Sequence, residues 1–196
     1  IGSTIDDAAG EAFDKGGKLL GLGYPAGHIV DAKAKKGNRD RFEFPIGLKS
    51  SADSRMSFSG LKTALRVFCE KNPDILADQD SQDFYDLCAS YQSAISKALL
   101  LKSRYALQQV KEMGHDAKNI DIVIGGGVAC NSMIRADFKA KYPRTKIVKP
   151  EFCTDNGAMI AHLGLLQFDK AHPFPQCLDL DARGRFIEKG KHGKTS

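Results

Sequence analysis

One stretch constrains the fold more than any other: Asn119-Ile-Asp-Ile-Val-Ile-Gly-Gly-Gly-Val-Ala-Cys-Asn-Ser-Met-Ile-Arg135. Ile120, Ile122, Val123 and Ile124 form a short β-branched run, long enough for a buried strand and too short for a helix. Gly125, Gly126 and Gly127 break it, and Val128 to Tyr142 then has the spacing of an amphipathic helix. A glycine turn between strand and helix predicts free N–H groups at a helix N-terminus. That end carries a partial positive charge and suits a phosphate or the sugar edge of a nucleotide. A tight strand-to-helix turn with no ligand satisfies the same pattern. The dinucleotide fingerprint fits poorly, because Cys130 stands where the third glycine belongs, and no Gly-Lys-Ser/Thr follows to make a P-loop.

A chain of 196 residues buries one good core or two small ones. With 42% hydrophobic and 27% charged residues, and no apolar run long enough to span a membrane, it reads as a soluble globular protein without a membrane partner. It begins at Ile1 without a methionine or a signal-peptide pattern, so it is expected to be a piece of something longer. The net charge is +5, and much of the excess lies between Lys33 and Arg41 and between Arg183 and Lys194. Such segments attract phosphates at long range, or simply form a solvated face and a tail. Cys69, Cys88, Cys130, Cys153 and Cys177 have no CxxC spacing and an odd total, which argues against a disulfide framework and a cysteine zinc site. A reducing compartment follows. No two histidines lie three to five residues apart, so the chain has no helical His-x-x-x-His pair of its own.

Along the chain, Ile5, Ala8, Ala9, Ala12, Phe13 and Leu19 predict a helix over Thr4 to Leu20, with Asp6, Asp7 and Glu11 in its early turns. Gly21 to Gly27 forms a loop, and a short helix follows from His28 to Lys36. Phe42 to Phe58 alternates apolar and polar residues as a strand or loose hairpin would. Ser59 is placed to cap a helix from Gly60 to Lys71. Pro73 stops that helix, and the acidic run Asp74 to Asp80 reads as a linker. Ser81 to Met113 is the longest element, its stripe of Phe84, Leu87, Tyr91, Ala94 and Ala98 belonging to the core. A second short strand is expected over Lys146 to Lys149, and a last helix from about Asn156 to Phe168. Two or three strands are too little sheet to cover so many helical faces, which again suggests missing chain.

Three short motifs stand out together: Asp6-Asp-Ala-Ala-Gly-Glu-Ala-Phe-Asp-Lys15, Ser57-Phe-Ser-Gly-Leu-Lys-Thr-Ala64 and Cys153-Thr-Asp-Asn-Gly-Ala-Met-Ile160. With Gly125-Gly-Gly-Val-Ala-Cys-Asn131 and Gly23-Tyr-Pro-Ala-Gly27, they closely resemble the TsaD family of tRNA N6-adenosine threonylcarbamoyltransferases, once thought to be glycoproteases. The resemblance covers about Ile1 to Phe168. It implies an α/β chain of the actin-like ATPase (ASKHA) fold, here its helix-rich C-terminal portion over residues 1–169, followed by a basic tail over 170–196. The implied reaction moves a threonylcarbamoyl group from threonylcarbamoyl-AMP to N6 of adenosine 37, in tRNAs that read codons starting with A. On the same resemblance, Asp14, Gly27 and Asp31 match positions around the adenylate ribose, Asn131 matches a substrate-binding asparagine, and Gly125, Gly126 and Gly127 form the nucleotide loop. Asp155 matches the carboxylate ligand of a bound divalent ion, iron or zinc. Carboxylates and an amide suit ribose hydroxyls, and an aspartate oxygen suits such a cation. Read without the resemblance, Asp155 is a helix cap beside Thr154, and Asp14 a solvated residue paired with Lys15 or Lys18.

The departures are equally specific. The family's His-x-x-x-His metal pair and its Ser-Gly-Gly-His stretch have no counterpart in this chain, so the remaining metal ligands are expected outside it. Ala26 replaces a usual glycine and His28 a usual proline. The spacing from Asn131 to Asp155 is a few residues short, as if a loop around Tyr142-Pro-Arg-Thr145 were trimmed. The resemblance also implies tRNA as a partner, with partner subunits of a synthesis complex or a homodimer, in the cytoplasm or, for an organellar counterpart, in mitochondria. The competing reading is a non-catalytic fragment or paralogue acting as a nucleotide-binding or interaction module. A Rossmann-type NAD binder would need an acidic residue where Lys149 and Pro150 stand, although Glu151 is close.

Overall fold

The structure is a computed structural model that describes residues 1–179, so the basic run from Arg183 to Lys194 lies outside the described residues. The chain divides into two compact units, Ile1–Thr154 and Asp155–Ser196. The first unit is built around the helix α5 (Gln82–Glu112), whose start is capped by the Ser81 hydroxyl accepting from Phe84 N at 3.2 Å. Between Phe84 and Ala98 only Tyr85 and Lys97 escape burial. A helix buried on every side must satisfy its polar residues internally, and α5 carries Asp86, Ser90, Gln92, Ser93 and Ser96 among its buried positions. Among the described residues, every buried side-chain nitrogen or oxygen has a hydrogen-bond partner.

Around α5 pack α1 (Ala9–Leu19), α2 (Gly27–Ala34), α4 (Pro73–Ala77) and α6 (Ser132–Lys141), while α3 (Ser59–Lys71) packs on α1 and α4. α1 crosses α5 closely because Gly16 faces Tyr91: a Cβ there would lie 2.5 Å from the tyrosine ring. The Tyr91 hydroxyl donates to Ala12 O at 2.8 Å. Two parallel strands, β1 (Ile122–Ile124) and β2 (Thr145–Ile147), pair in the register Ile122 to Thr145, and α6 connects them. Val123 is 65% exposed, so β1 is not the buried strand that its β-branched run suggests; only two strands form this sheet among the described residues.

Other elements also depart from expectation. The helix expected from Thr4 begins at Ala9, because Asp6 and Asp7 are engaged elsewhere. Asp7 pairs with Lys15 at 2.6 Å. The expected linker over Asp74 to Asp80 contains α4, with Pro73 at its first position, where a missing N–H is tolerated. The alternating run from Phe42 to Phe58 is neither strand nor hairpin; its one ladder-like contact is an isolated parallel bridge between Thr4 and Met56. Phe42 and Phe44 instead pack at an angle against Phe68, with ring centroids at 4.8 and 5.7 Å. Its backbone finds side-chain partners: the Ser90 hydroxyl accepts from Phe42 N, and the buried Lys102 ammonium donates to Leu48 O, Ser51 O and Asp53 O at 2.7 to 3.1 Å. Leu48, at φ 53°, occupies the left-handed region that a side chain disfavours.

In the second unit, α7 (Gly157–Leu166) is capped by Asn156, whose Oδ1 accepts from Met159 N at 3.0 Å. Its sequence is apolar all round, and Ile160, Leu165 and Leu166 are exposed.

Two motifs far apart in sequence meet at the start of α3. Asp6 accepts from the Ser57 and Ser59 hydroxyls and from Phe58 N, so a carboxylate some fifty residues upstream caps this helix in place of the expected Ser59. Burial alone would raise the Asp6 pKa, but these hydrogen bonds outweigh it and hold the group at about 2 against an ordinary 3.8. A carboxylate depressed in the folded state stabilises above its unfolded pKa and loses that contribution as pH falls through the folded value. Asp6→Ala is therefore expected to lower stability at neutral pH by about 1 kcal/mol, the usual loss of a helix cap. In urea titrations, the gap to the unsubstituted chain should narrow as pH falls from 3.8 towards 2.

Candidate functional site

Asp14, Gly27, Asp31 and Asn131 line one cavity of about 580 Å³, with Gly127 beside them. They come from three separate parts of the chain: α1, the first turns of α2, and the junction before α6. Gly125 and Gly126 are not part of that lining, although Gly126 has the positive φ of 75° that the tight turn requires and that favours glycine. Asp155 belongs to the second unit, where its side chain is exposed. It does not cap α7, since Asn156 does.

Asp14 is not a solvated partner of Lys15 or Lys18. Its Oδ1 accepts from Ala26 N at 2.9 Å and from Gly27 N at 3.2 Å, closing the N-terminus of α2 where Ala26 offers no side-chain acceptor. Lys15 pairs instead with Asp7 and Glu11. Ala26 is fully buried, and it fits because its neighbour Gly17 has no side chain: a Cβ on Gly17 would lie 2.1 Å from that of Ala26.

Asp31, one turn into α2, is 7% exposed. Its Oδ1 accepts from Ser132 N at 3.0 Å, Ser132 Oγ at 2.7 Å and Gln92 Nε2 at 3.1 Å. Lys35 approaches Oδ2 at 3.4 Å. Asn131 caps α6, its Oδ1 accepting from Ile134 N at 3.0 Å while its Nδ2 donates to Gln92 Oε1 at 2.6 Å. The helix after the glycine loop thus starts at Ser132, four residues later than its apolar spacing suggests, because Gly127–Cys130 forms a separate 3₁₀ turn. Two of the N–H groups that the sequence pattern leaves open at the start of α6 are engaged: Asn131 takes that of Ile134, and Asp31 takes that of Ser132.

Gln92 is the residue that sequence reasoning missed. It sits 1% exposed on α5, and its single amide joins Asp31 to Asn131. In the sequence the only signal was a glutamine on the buried side of an otherwise apolar stripe. The basic run from Lys33 to Arg41 is likewise engaged internally. Lys33 pairs with Asp80 at 2.7 Å, and Lys36 lies 4.8 Å from the Tyr85 ring centre. Arg39 grips Asp137 on α6 through two bonds of 2.8 Å. Burial would raise the Asp137 pKa, yet Arg39 and the Ser96 hydroxyl hold it below the usual carboxylate value.

Against this geometry, a family model described as TsaD, tRNA N6-adenosine threonylcarbamoyltransferase, matches residues 1–162. The chain belongs to the TsaD family. Curated relatives named tRNA N6-adenosine threonylcarbamoyltransferase include one from Rhizobium etli, 42% identical over 190 residues, covering 94% of this chain and 51% of the relative. One from Brucella anthropi is 41% identical over 190 residues, covering 95% and 51%. One from Chromobacterium violaceum is 40% identical over 177 residues, covering 88% and 50%. The chain spans about half the length of these relatives. Family membership is thereby shown as the motifs implied, and the helix-rich architecture with few strands is compatible with the fold expected of TsaD proteins. Among the described residues, no helix is long and apolar enough to cross a membrane.

The amide of Gln92 gives a sharp test of the buried network. Gln92→Leu removes a donor from Asp31 and an acceptor from Asn131, and should lower stability by about 2–4 kcal/mol, the cost of stranding buried polar partners. Gln92→Glu places a second carboxyl beside Asp31, so its folded pKa is raised above the unfolded value. Its neutral form still donates to Asp31 and its ionised form repels it. Stability of this variant should recover as pH falls from about 8 to about 5, towards an ordinary glutamate pKa, whereas the leucine variant should show no such recovery. Urea unfolding at the two pH values reads the difference.

Proposed function

We propose that this chain forms one wall of an adenylate site in a tRNA N6-adenosine threonylcarbamoyltransferase of the actin-like ATPase fold. The observation that carries the reading is the convergence of Asp14, Gly27, Asp31 and Asn131 on a single cavity, from three separate parts of the chain. The protein would transfer the threonylcarbamoyl group of threonylcarbamoyl-AMP to N6 of adenosine 37 in tRNAs reading codons that start with A, in the cytoplasm or in mitochondria. The family membership and the names of the relatives support that activity.

Within the cavity each residue has a definite part. Asp14 uses Oδ1 to hold Ala26 N and Gly27 N, which leaves Oδ2 as the oxygen suited to a ribose hydroxyl. Gly27 brings bare backbone close to the cavity, next to the Asp14 carboxylate. Asp31 and Asn131 shape the wall through Gln92 rather than reaching out alone, since both are 7% exposed and already bonded. Gly125 and Gly126 set the turn that carries Gly127 to the lining.

Asp155 is proposed as one carboxylate ligand of a divalent ion, iron or zinc. Among the described residues no group of three His, Cys, Asp or Glu side chains is placed to hold a metal. The other ligands would lie outside it, and tRNA and partner subunits or a second copy would complete the assembly.

Two outcomes follow. Asp14→Asn keeps an oxygen to close α2 but removes the charged oxygen from the cavity. It should weaken binding of a non-hydrolysable adenylate analogue by about 1 kcal/mol, roughly fivefold, with an unchanged melting temperature. Calorimetry beside a thermal melt checks this, and equal affinity for both chains would remove Asp14 from the site. The 196-residue chain by itself should retain neither iron nor zinc after dialysis and should not modify tRNA supplied with threonylcarbamoyl-AMP, because a tight site needs about three protein ligands. Stoichiometric metal by elemental analysis would overturn the shared-ligand proposal.

A further inference from the structure

The cavity that Asp14 and Asp31 line is short of positive charge. Two carboxylates face it, and among its lining residues Lys35 alone is a lysine or arginine. His28, Asp31 and Lys35 follow at i, i+3 and i+7, so they share one face of α2 continued into its C-cap. The neighbouring lysines are engaged elsewhere, Lys33 with Asp80 and Lys36 over the Tyr85 ring. The Lys35 ammonium lies 3.4 Å from Asp31 Oδ2, longer than the roughly 2.7–2.9 Å of a tight charge-assisted hydrogen bond, and its side chain is 59% exposed. So open an ion pair is weak, and its ammonium can take a second anion while staying beside the first. The backbone donors that usually receive a phosphate at a helix N-terminus are partly occupied here. Asp14 takes Ala26 N and Gly27 N at the start of α2, and Asp31 and Asn131 take Ser132 N and Ile134 N at the start of α6.

We propose that Lys35 is a specificity-determining residue of the cavity: its ammonium holds the phosphate of the nucleotide, so that a nucleoside monophosphate is taken in preference to the bare nucleoside. On the adenylate reading above, on which this assignment rests, the ligand brings negative charge towards the carboxylates of Asp14 and Asp31. Without a cation between them that approach is repulsive. With the ammonium placed between the Asp31 carboxylate and the phosphate, each anion faces a cation instead of the other. The path of α2 also sets the order of the ligand. Gly27 and the Asp14 carboxylate stand at its N-terminal end, and Asp31 follows four residues on, about 6 Å along the helix axis. The Lys35 side chain reaches back one turn to Asp31, as helical side chains lean towards the N-terminus. The ribose therefore lies towards Asp14 and the phosphate towards Lys35.

The test is calorimetry of the 196-residue chain with AMP and with adenosine, which differ by the phosphate alone. AMP should bind about five- to tenfold more tightly than adenosine, and raising the ionic strength from about 0.05 to about 0.5 M should narrow that gap. Lys35→Met keeps most of the side-chain length without the charge. It should bind adenosine as the unsubstituted chain does and bind AMP no better than adenosine, whereas Lys35→Arg should keep most of the preference. Adenosine binding reports that each variant is folded with its cavity intact. A preference for AMP that survives in Lys35→Met would overturn the assignment, because another group would then hold the phosphate. Equal affinity of the unsubstituted chain for the two ligands would overturn it as well, while leaving the adenosine part of the site standing. Loss of both ligands in Lys35→Met would also overturn it, since Lys35 would then support the wall and not touch the phosphate. If the unsubstituted chain bound neither AMP nor adenosine, the adenylate reading itself would fall and this assignment with it.

Discussion

The carboxylate of Asp31 is the constraint on which the first unit depends. A charge so nearly removed from water is tolerated only when donors surround it, and here they come from three elements. Ser132 at the start of α6 gives two donors, Gln92 in the middle of α5 gives a third, and Lys35 in the same helix lies within ion-pair reach. Losing any one of these helices would leave the charge poorly compensated. The same network determines where α6 begins, because Asp31 and Asn131 together satisfy N–H groups in its first turn. A cavity wall made in this way is rigid: Asp31 and Asn131 hold their positions through one amide that neither could replace alone.

How much of this was legible in the sequence depends on the range of the interaction concerned. Helices with a local apolar stripe, such as α3 and α5, were readable, because the 3.6-residue period is written in neighbouring side chains. The glycine turn and the two short strands were also visible. What was not visible depends on contacts some twenty-five to a hundred residues away. Nothing near Ser59 says that Asp6 will take over the capping of α3, and nothing near Phe42 says that its alternation will be spent on Phe68. The lysines and arginines of the Lys33–Arg41 run looked like a solvated or phosphate-seeking face. Three of them, Lys33, Lys36 and Arg39, find partners in Asp80, Tyr85 and Asp137, some fifty to a hundred residues downstream.

The candidate site was legible in a different sense. Physical chemistry alone gave Asp14 and Asp31 no distinction from other helical carboxylates, whereas the joint pattern of short motifs singled them out. The fold then supplies the reason the motifs travel together. The Asp6 motif carries Asp14, which holds the loop entering α2; that helix carries Asp31, which holds the start of α6 after the glycine loop. Each motif positions the next, so a change in one is felt in the others through hydrogen bonds rather than through direct contact with a ligand. Gln92 escaped notice because the stripe around it is apolar and its two partners are far away in the chain.

The loop around Lys102 has a consequence of another kind. One ammonium, 2% exposed, gathers the carbonyls of Leu48, Ser51 and Asp53 and so replaces the ladder that this segment lacks. Main-chain oxygens are the same for every residue type, so three of the cation's bonds recognise the path of the chain, while the Ser51 hydroxyl at 2.8 Å and the Asp53 carboxylate at 3.9 Å add side-chain contacts. The length of such a loop is held more tightly than its composition, since an inserted or deleted residue would carry a carbonyl out of reach. The lysine acts as a gauge of spacing, set in the helix and applied to a stretch of chain some fifty residues before it.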